Sequence, residues 1–134
     1  MNMISKREKL ILWTPRILSI LFLLFLAMFS LDVFDENLGF WGTLLGLFMH
    51  NIPVFVLAIV LAVAWKHKLV GAVFYLLAGL AYIMLLTMSA IRNNFEFYMI
   101  AWSIIIAGPA FLIAGLFYTG WKNELKYAQE NRRQ

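Results

Sequence analysis

The sequence predicts an all-α fold, an integral membrane four-helix bundle, and three observations carry that prediction. Hydrophobic residues fill 63% of the 134 positions and charged residues only 13%, whereas a soluble domain is nearer half apolar and a quarter charged. The apolar residues gather into four runs, each long enough to cross a bilayer at about 20 residues. Ten of the eleven Lys and Arg residues then fall on one side of the resulting topology.

Taken in order, residues 1–16 form an interfacial N-terminal segment. Ser5-Lys6-Arg7-Glu8 has the S-x-x-E form of a capping box. It opens a short helix that ends or bends at Pro15, whose missing N–H breaks the helical ladder. The first span covers 17–34. Its apolar core is too long for a cleaved leader and no A-x-A-like site follows Ala27, so it reads as retained. The second, third and fourth spans cover 41–65, 69–91 and 97–121, with connections short enough to make consecutive helices antiparallel neighbours. Residues 122–134 are polar and basic. They read as a helical continuation that frays into water and is drawn towards anionic lipid.

Orientation follows from the basic residues. Lys6, Arg7, Lys9 and Arg16 precede the first span, Lys66 and Lys68 join the second to the third, and Lys122, Lys126, Arg132 and Arg133 follow the fourth. Arg92 alone lies on the other side, among Asp32, Asp35, Glu36 and Glu96. Both termini are therefore expected in the cytoplasm. Aromatic belts fit this arrangement: Phe40, Trp41, Phe95, Phe97 and Tyr98 outside, Trp13, Trp65 and Trp121 inside.

A shift of 56 residues aligns the two halves without a gap. Pro53-Val54-Phe55 falls on Pro109-Ala110-Phe111, Trp65-Lys66 on Trp121-Lys122, and Asn37 on Asn93. This pattern suggests a tandem repeat of a helical hairpin, related by a pseudo-two-fold axis along the membrane normal. Pro53 and Pro109 would then kink the second and fourth spans at similar depth. Convergence is the competing account, because Pro is tolerated in membrane helices and Trp-Lys is a common interfacial anchor.

His50 and Asn51 are the most informative polar pair. His50 lies nine residues beyond Trp41, which puts it roughly 13 Å below the outer interface and near the bilayer middle. Gly42, Gly46 and His50 recur at i, i+4 and i+8, and G-x-x-x-G spacing lets helices approach closely. His50 is thus expected in a helix–helix seam, either as a proton-carrying or ligand-binding group or as interhelical glue to Tyr75 or Tyr82. Asn51 points about 100° away from it round the helix. Asp32, with Asp35, Glu36 and Glu96, reads as a cation-gathering mouth or as ordinary solvated loop charges. The rise from Asp32 to His50 is roughly 9 Å, too far for a direct ion pair. On the third span, Gly71, Tyr75, Gly79 and Tyr82 share a stripe. On the fourth, Ser103, Ala107, Ala110 and Ala114 share a face with Gly108 and Gly115 nearby. Both stripes read as helix-packing surfaces.

Several chemistries are disfavoured. There is no cysteine, which removes disulfides and thiol catalysis. No G-x-S-x-G, H-E-x-x-H, P-loop or dinucleotide fingerprint occurs. The two histidines, His50 and His67, are about 25 Å apart along one helix, too far to share an ion. No metal, cofactor or catalytic residue is expected, and the basic excess at helix ends points to a membrane surface and not to nucleic acid.

Three stretches carry a resemblance: W-T-P-R-I-L-S-I-L-F-L-L-F-L-A-M-F-S-L-D-V-F (13–34), G-F-W-G-T-L-L-G-L-F-M-H-N-I-P (39–53) and W-S-I-I-I-A-G-P-A-F-L-I-A-G-L-F (102–117). They resemble a family of small prokaryotic four-helix membrane proteins known only as a domain of unknown function. The resemblance implies four spans in a prokaryotic inner (cytoplasmic) membrane and brings no functional residue with it.

The first functional expectation is a non-enzymatic accessory or scaffold subunit that acts by interaction, as a homo-oligomer or with a partner membrane protein. The alternative is a small oligomeric carrier, channel or proton-linked transporter subunit using His50, Asn51 and Asp32. A third is a lipid- or quinone-binding module lined by aromatic residues near Trp41 and Tyr82.

Overall fold

The computed structural model describes residues 6–133, the side chains of Asp35 and Glu36 excepted; Ser5 of the capping box lies outside the described residues. Among these residues there are no strands, and four helices are long and apolar enough to span a membrane. Helix α1 (Lys6–Met28) continues into a tighter 3₁₀ segment, Phe29–Glu36. Helix α2 is Gly39–Ala64 and α3 is Lys68–Asn93. Helix α4 runs over Tyr98–Arg132, with a π-helical turn at Ser103–Ala107.

The short links make the four helices antiparallel in turn. Each packs on its chain neighbours and α4 closes the ring on α1, leaving α1 and α3 on one diagonal. Both termini, with the link from α2 to α3, sit at one end of the bundle, here the termini end. The links after α1 and α3 sit at the other, the far end.

Three prolines lie inside helices, and each is accommodated differently. Pro15 does not end α1, which runs unbroken from Lys6 through it. The carbonyl that loses its donor there belongs to Ile11, near the helix start, where water or headgroups can replace the missing N–H. Pro53 sits on the surface of α2 and the helix passes through it. Pro109 is preceded by the π turn, whose wider loop relieves the clash between the ring and the carbonyl four residues back. Pro53 and Pro109 thus occupy unlike environments despite their matched positions. The far-end turns differ too: Asn94, not Asn93, has a positive φ with extended ψ, whereas Asn37 is left-handed helical. Asn tolerates that conformation better than most residues.

The core joins Phe22 of α1, Leu57, Val60, Leu61 and Ala64 of α2, Ala72 and Tyr75 of α3, and Ala110, Ile113, Ala114 and Phe117 of α4. Its members lie in the part of the bundle nearer the termini end. Tyr75 stacks on Phe117 at 6.1 Å between ring centroids and meets Phe22 at 6.5 Å. Close backbone approach makes this packing possible. A Cβ on Gly71 would stand 2.7 Å from Ala64 Cβ and 3.0 Å from the Phe117 ring, and one on Gly79 would stand 2.6 Å from Phe111.

Candidate functional site

Five polar side chains inside the spans follow one local rule. Ser19 donates to Pro15 O, Asn51 Nδ2 to Leu47 O, Thr87 to Ile83 O, Ser103 to Met99 O and Thr119 to Leu116 O, at 2.7–2.9 Å. Each returns to a carbonyl three or four residues back on its own helix, the cheapest way to satisfy a polar group where no water competes.

His50 obeys the same rule, and this corrects the seam expectation. Its Nδ1 lies 3.1 Å from Gly46 O, and the side chain is exposed. A carbonyl oxygen only accepts, so Nδ1 carries the proton of this contact. No bond reaches Tyr75 or Tyr82, because α2 gives no buried residue anywhere between Gly39 and Val56. Asn51 is half-buried, Tyr82 is half-buried, and Asp32 is exposed in the 3₁₀ segment.

Tyr75 is separate from these four. It is wholly buried in the core, and its hydroxyl has no hydrogen-bond partner. Ser19, also wholly buried, is the polar side chain beside it, but the two hydroxyls do not meet in bonding geometry while Ser19 donates back to Pro15 O. The structure therefore does not gather His50, Asn51, Asp32, Tyr75 and Tyr82 into one site.

The packing glycines also divide. Gly46 admits Val33, whose Cγ1 would lie 2.6 Å from a Cβ there, and Gly71 and Gly79 are tight as described. Gly42 faces only Leu38 of its own segment, and Gly108 and Gly115 have open space where a Cβ would go. Those three do not mediate close helix contacts within one chain. The fourth-span stripe still packs, through Ala107, Ala110 and Ala114.

The densest polar construction lies at the termini end. Arg16 Nη2 donates to Trp65 O at 2.9 Å, and its guanidinium lies 4.7 Å from the Trp65 ring centroid and 5.6 Å from that of Trp13. The two indoles meet edge to face at 6.3 Å. Lys68, only 7% exposed, reaches Glu124 at 2.6 Å. Its stem lies across Gly120, where a Cβ would come within 3.2 Å of Lys68 Cδ. Nearby, the Tyr127 hydroxyl donates to Glu8; that carboxylate raises the phenol pKa above 10.0, chiefly through the hydrogen bond and then through its charge. Reading Arg16 and Lys68 as mere topology markers missed this clamp. The available signal was Trp13, Arg16 and Trp65-Lys66-His67-Lys68 converging at one interface.

A different feature lies on the α1–α4 flank, where Leu18, Leu21, Phe25, Ile105, Pro109 and Leu112 are among the residues around an apolar groove of about 330 Å³. Pro109 and the π turn form one wall of it. Among the described residues, no three His, Asp or Glu side chains stand close enough to hold a metal ion.

No curated protein and no solved structure matches this chain. A family model does match, over residues 1–133, and its description is Domain of unknown function (DUF7670). Four membrane-capable helices and a match over almost the whole sequence place the chain in that family: it belongs to DUF7670.

Proposed function

We propose that this multi-pass membrane protein is a non-enzymatic accessory or scaffold subunit that acts by interaction within the cytoplasmic membrane, with both termini on the cytoplasmic side. The observation that carries this reading is the self-satisfied polar chemistry of the spans. A carrier path needs polar groups that converge across the bilayer. Here His50 and Asn51 each bond their own helix, and the core between Phe22 and Phe117 closes the part of the bundle nearer the termini with mostly apolar side chains. The termini end supports the same reading: ten basic residues, a clamped surface and an exposed α4 extension offer a docking platform beside the bilayer.

The test is native mass spectrometry of the full chain released gently from its membrane. A defined homo-oligomer or a stoichiometric protein partner is the expected result. A monomer retaining a specific small molecule or lipid would overturn this reading in favour of a binding module.

The second reading, an oligomeric carrier or proton-linked subunit built around His50 and Asn51, draws on one observation. The imidazole is exposed on its helix and bonds only its own backbone through Nδ1, so a neighbouring copy would cover it. Proton flux into proteoliposomes that is lost in His50→Leu at unchanged stability would establish it.

A further inference from the structure

The groove on the α1–α4 flank is a recess of about 330 Å³, and every residue lining it is apolar. Phe22 and Ile113, both buried, form its floor, and Leu21 and Leu112, 56% and 57% exposed, stand at its lips. Pro109 and the π turn shape its α4 wall, and Gly108 between them has open space where a Cβ would go. An apolar recess gives water no partners and stays dry. In a bilayer, hydrocarbon fills it.

Its depth selects the leaflet. On α1 the groove runs from Leu18 to Phe25, roughly 8 to 18 Å below Trp13 along the helix. Trp13, Trp65 and Trp121 mark the termini-end interface, and half of the hydrocarbon core is about 15 Å thick. The groove therefore lies in the leaflet next to the termini end, with its shallow end towards the headgroups.

The same flank is basic where it leaves the hydrocarbon. Leu21, Thr14 and Arg7 recur every seven residues on α1, and Leu112, Thr119 and Lys126 do so on α4. Arg7 stands roughly 9 Å beyond Trp13, and Lys126 roughly 8 Å beyond Trp121. Both are exposed at the edge of a headgroup layer about 5–8 Å deep, and their long side chains can reach back into it. The bond from Tyr127 to Glu8 holds the two helices side by side here, which sets Arg7 and Lys126 at one level. Of the acidic groups nearby, Glu8 is engaged by Tyr127 and Glu124 by Lys68, and Glu130 lies one turn further out. A second copy suits this flank poorly. Two copies meeting on it symmetrically would set Arg7 and Lys126 against the same charges, which opposes association. A phospholipid brings the opposite charge at that level and a chain at the level of the groove.

We propose that the α1–α4 flank binds one anionic phospholipid of the termini-end leaflet, an acyl chain in the groove and the phosphate held by Arg7 and Lys126. Basic pockets at the ends of membrane helices recognise lipid headgroups by this chemistry. The inference does not depend on the accessory reading. An oligomer or partner complex that keeps the lipid supports both, and a monomer that keeps it supports this one alone.

The test places the full chain in nanodiscs of phosphatidylglycerol and phosphatidylcholine, equal in amount and chain length, and counts retained lipid by native mass spectrometry. One phosphatidylglycerol should be retained, favoured over phosphatidylcholine at least about tenfold, since each basic residue near the surface contributes about fivefold. Arg7→Gln with Lys126→Gln should bring that preference within about twofold. Lys9→Gln with Lys66→Gln removes as much charge away from the flank, Lys9 lying about 200° round α1 from Arg7, and should keep the preference. Leu21→Trp with Leu112→Trp fills the groove from its exposed lips and should cut retention of either lipid at least about fivefold. The charge variants sit on the surface and carry the test alone if the filled groove impairs folding. Retention without headgroup preference, or a preference lost equally in both charge variants, would overturn the proposal. A filled groove that retains lipid as the parent does would place the lipid elsewhere and overturn it too. So would a lipid-free dimer that the filled groove turns into monomers, because the groove would then belong to a second copy.

Discussion

The two ends of this bundle are built from similar residues and behave differently. At the termini end aromatic rings, basic groups and small residues are used against each other: Arg16 between Trp13 and Trp65, Lys68 across Gly120 to Glu124, Tyr75 on Phe117. At the far end the same residue types face outward. Phe40 and Trp41 touch each other but remain 74% and 77% exposed, and Phe97 is 85% exposed. Lipid covers apolar side chains as well as protein does, so burial drives little association between helices inside a membrane. What joins helices is close packing and polar bonds across them, and both are concentrated at the termini end.

The largest contrast should appear on deleting a ring. Phe117→Ala leaves a cavity beneath Tyr75 and against Gly71, at a cost of about 3 kcal/mol, the low end for a buried aromatic because lipid offsets part of the transfer term. Phe97→Ala at the far end should change stability by less than about 0.5 kcal/mol. Thermal unfolding in one detergent compares them, and equal losses would remove the distinction between the ends. Overfilling tests the same point from the other side. Gly71→Val must displace Ala64 or the Phe117 ring and should cost about 2 kcal/mol, whereas Gly115→Val meets open space and should cost almost nothing.

Arg16 carries the next largest effect. Its alanine variant loses a charged hydrogen bond and two ring contacts, roughly 2 kcal/mol in all. Arg16→Lys should recover less than half, because a compact ammonium cannot lie flat between two indoles. Arg92→Ala at the far end is the matched control and should be near neutral. Glu124→Gln comes below these, at roughly 1 kcal/mol. It leaves Lys68 without its counter-charge, but Glu124 is itself half exposed and water screens the pair.

The four spans and their short links were readable in the sequence because each is decided locally, by a run of apolar residues. Arg16, Lys68 and Gly120 were not readable as a clamp because their partners lie far along the chain; Arg16 and Trp65 are 49 residues apart. The candidate site fared in between. Placing His50 on the inward face of α2 needed only its spacing from Leu57. Its exposure depends on what neighbouring helices cover, which no single-helix pattern contains. Gly108 and Gly115 failed for a related reason. A small residue permits close approach, but only the neighbouring helix decides whether anything approaches.

The smallest effect belongs to the α1–α4 contact beyond the bilayer, where Tyr127 donates to Glu8. The bond and the carboxylate charge both favour the neutral phenol, so the folded pKa lies above the ordinary 10.0. A raised pKa means that the folded state holds its proton more firmly than the unfolded chain does. The stabilisation is therefore fully present below pH 10.0 and is lost as the pH climbs through the higher folded value. Tyr127→Phe should flatten that alkaline loss slightly while leaving stability between pH 6 and 8 almost unchanged, because the contact is solvent-exposed. Glu8→Gln keeps an acceptor for the phenol but removes the charge, and should leave an intermediate slope. Identical alkaline profiles for all three proteins would mean that the Glu8 contact has no thermodynamic weight, and that the clamp ends at Lys68 and Glu124.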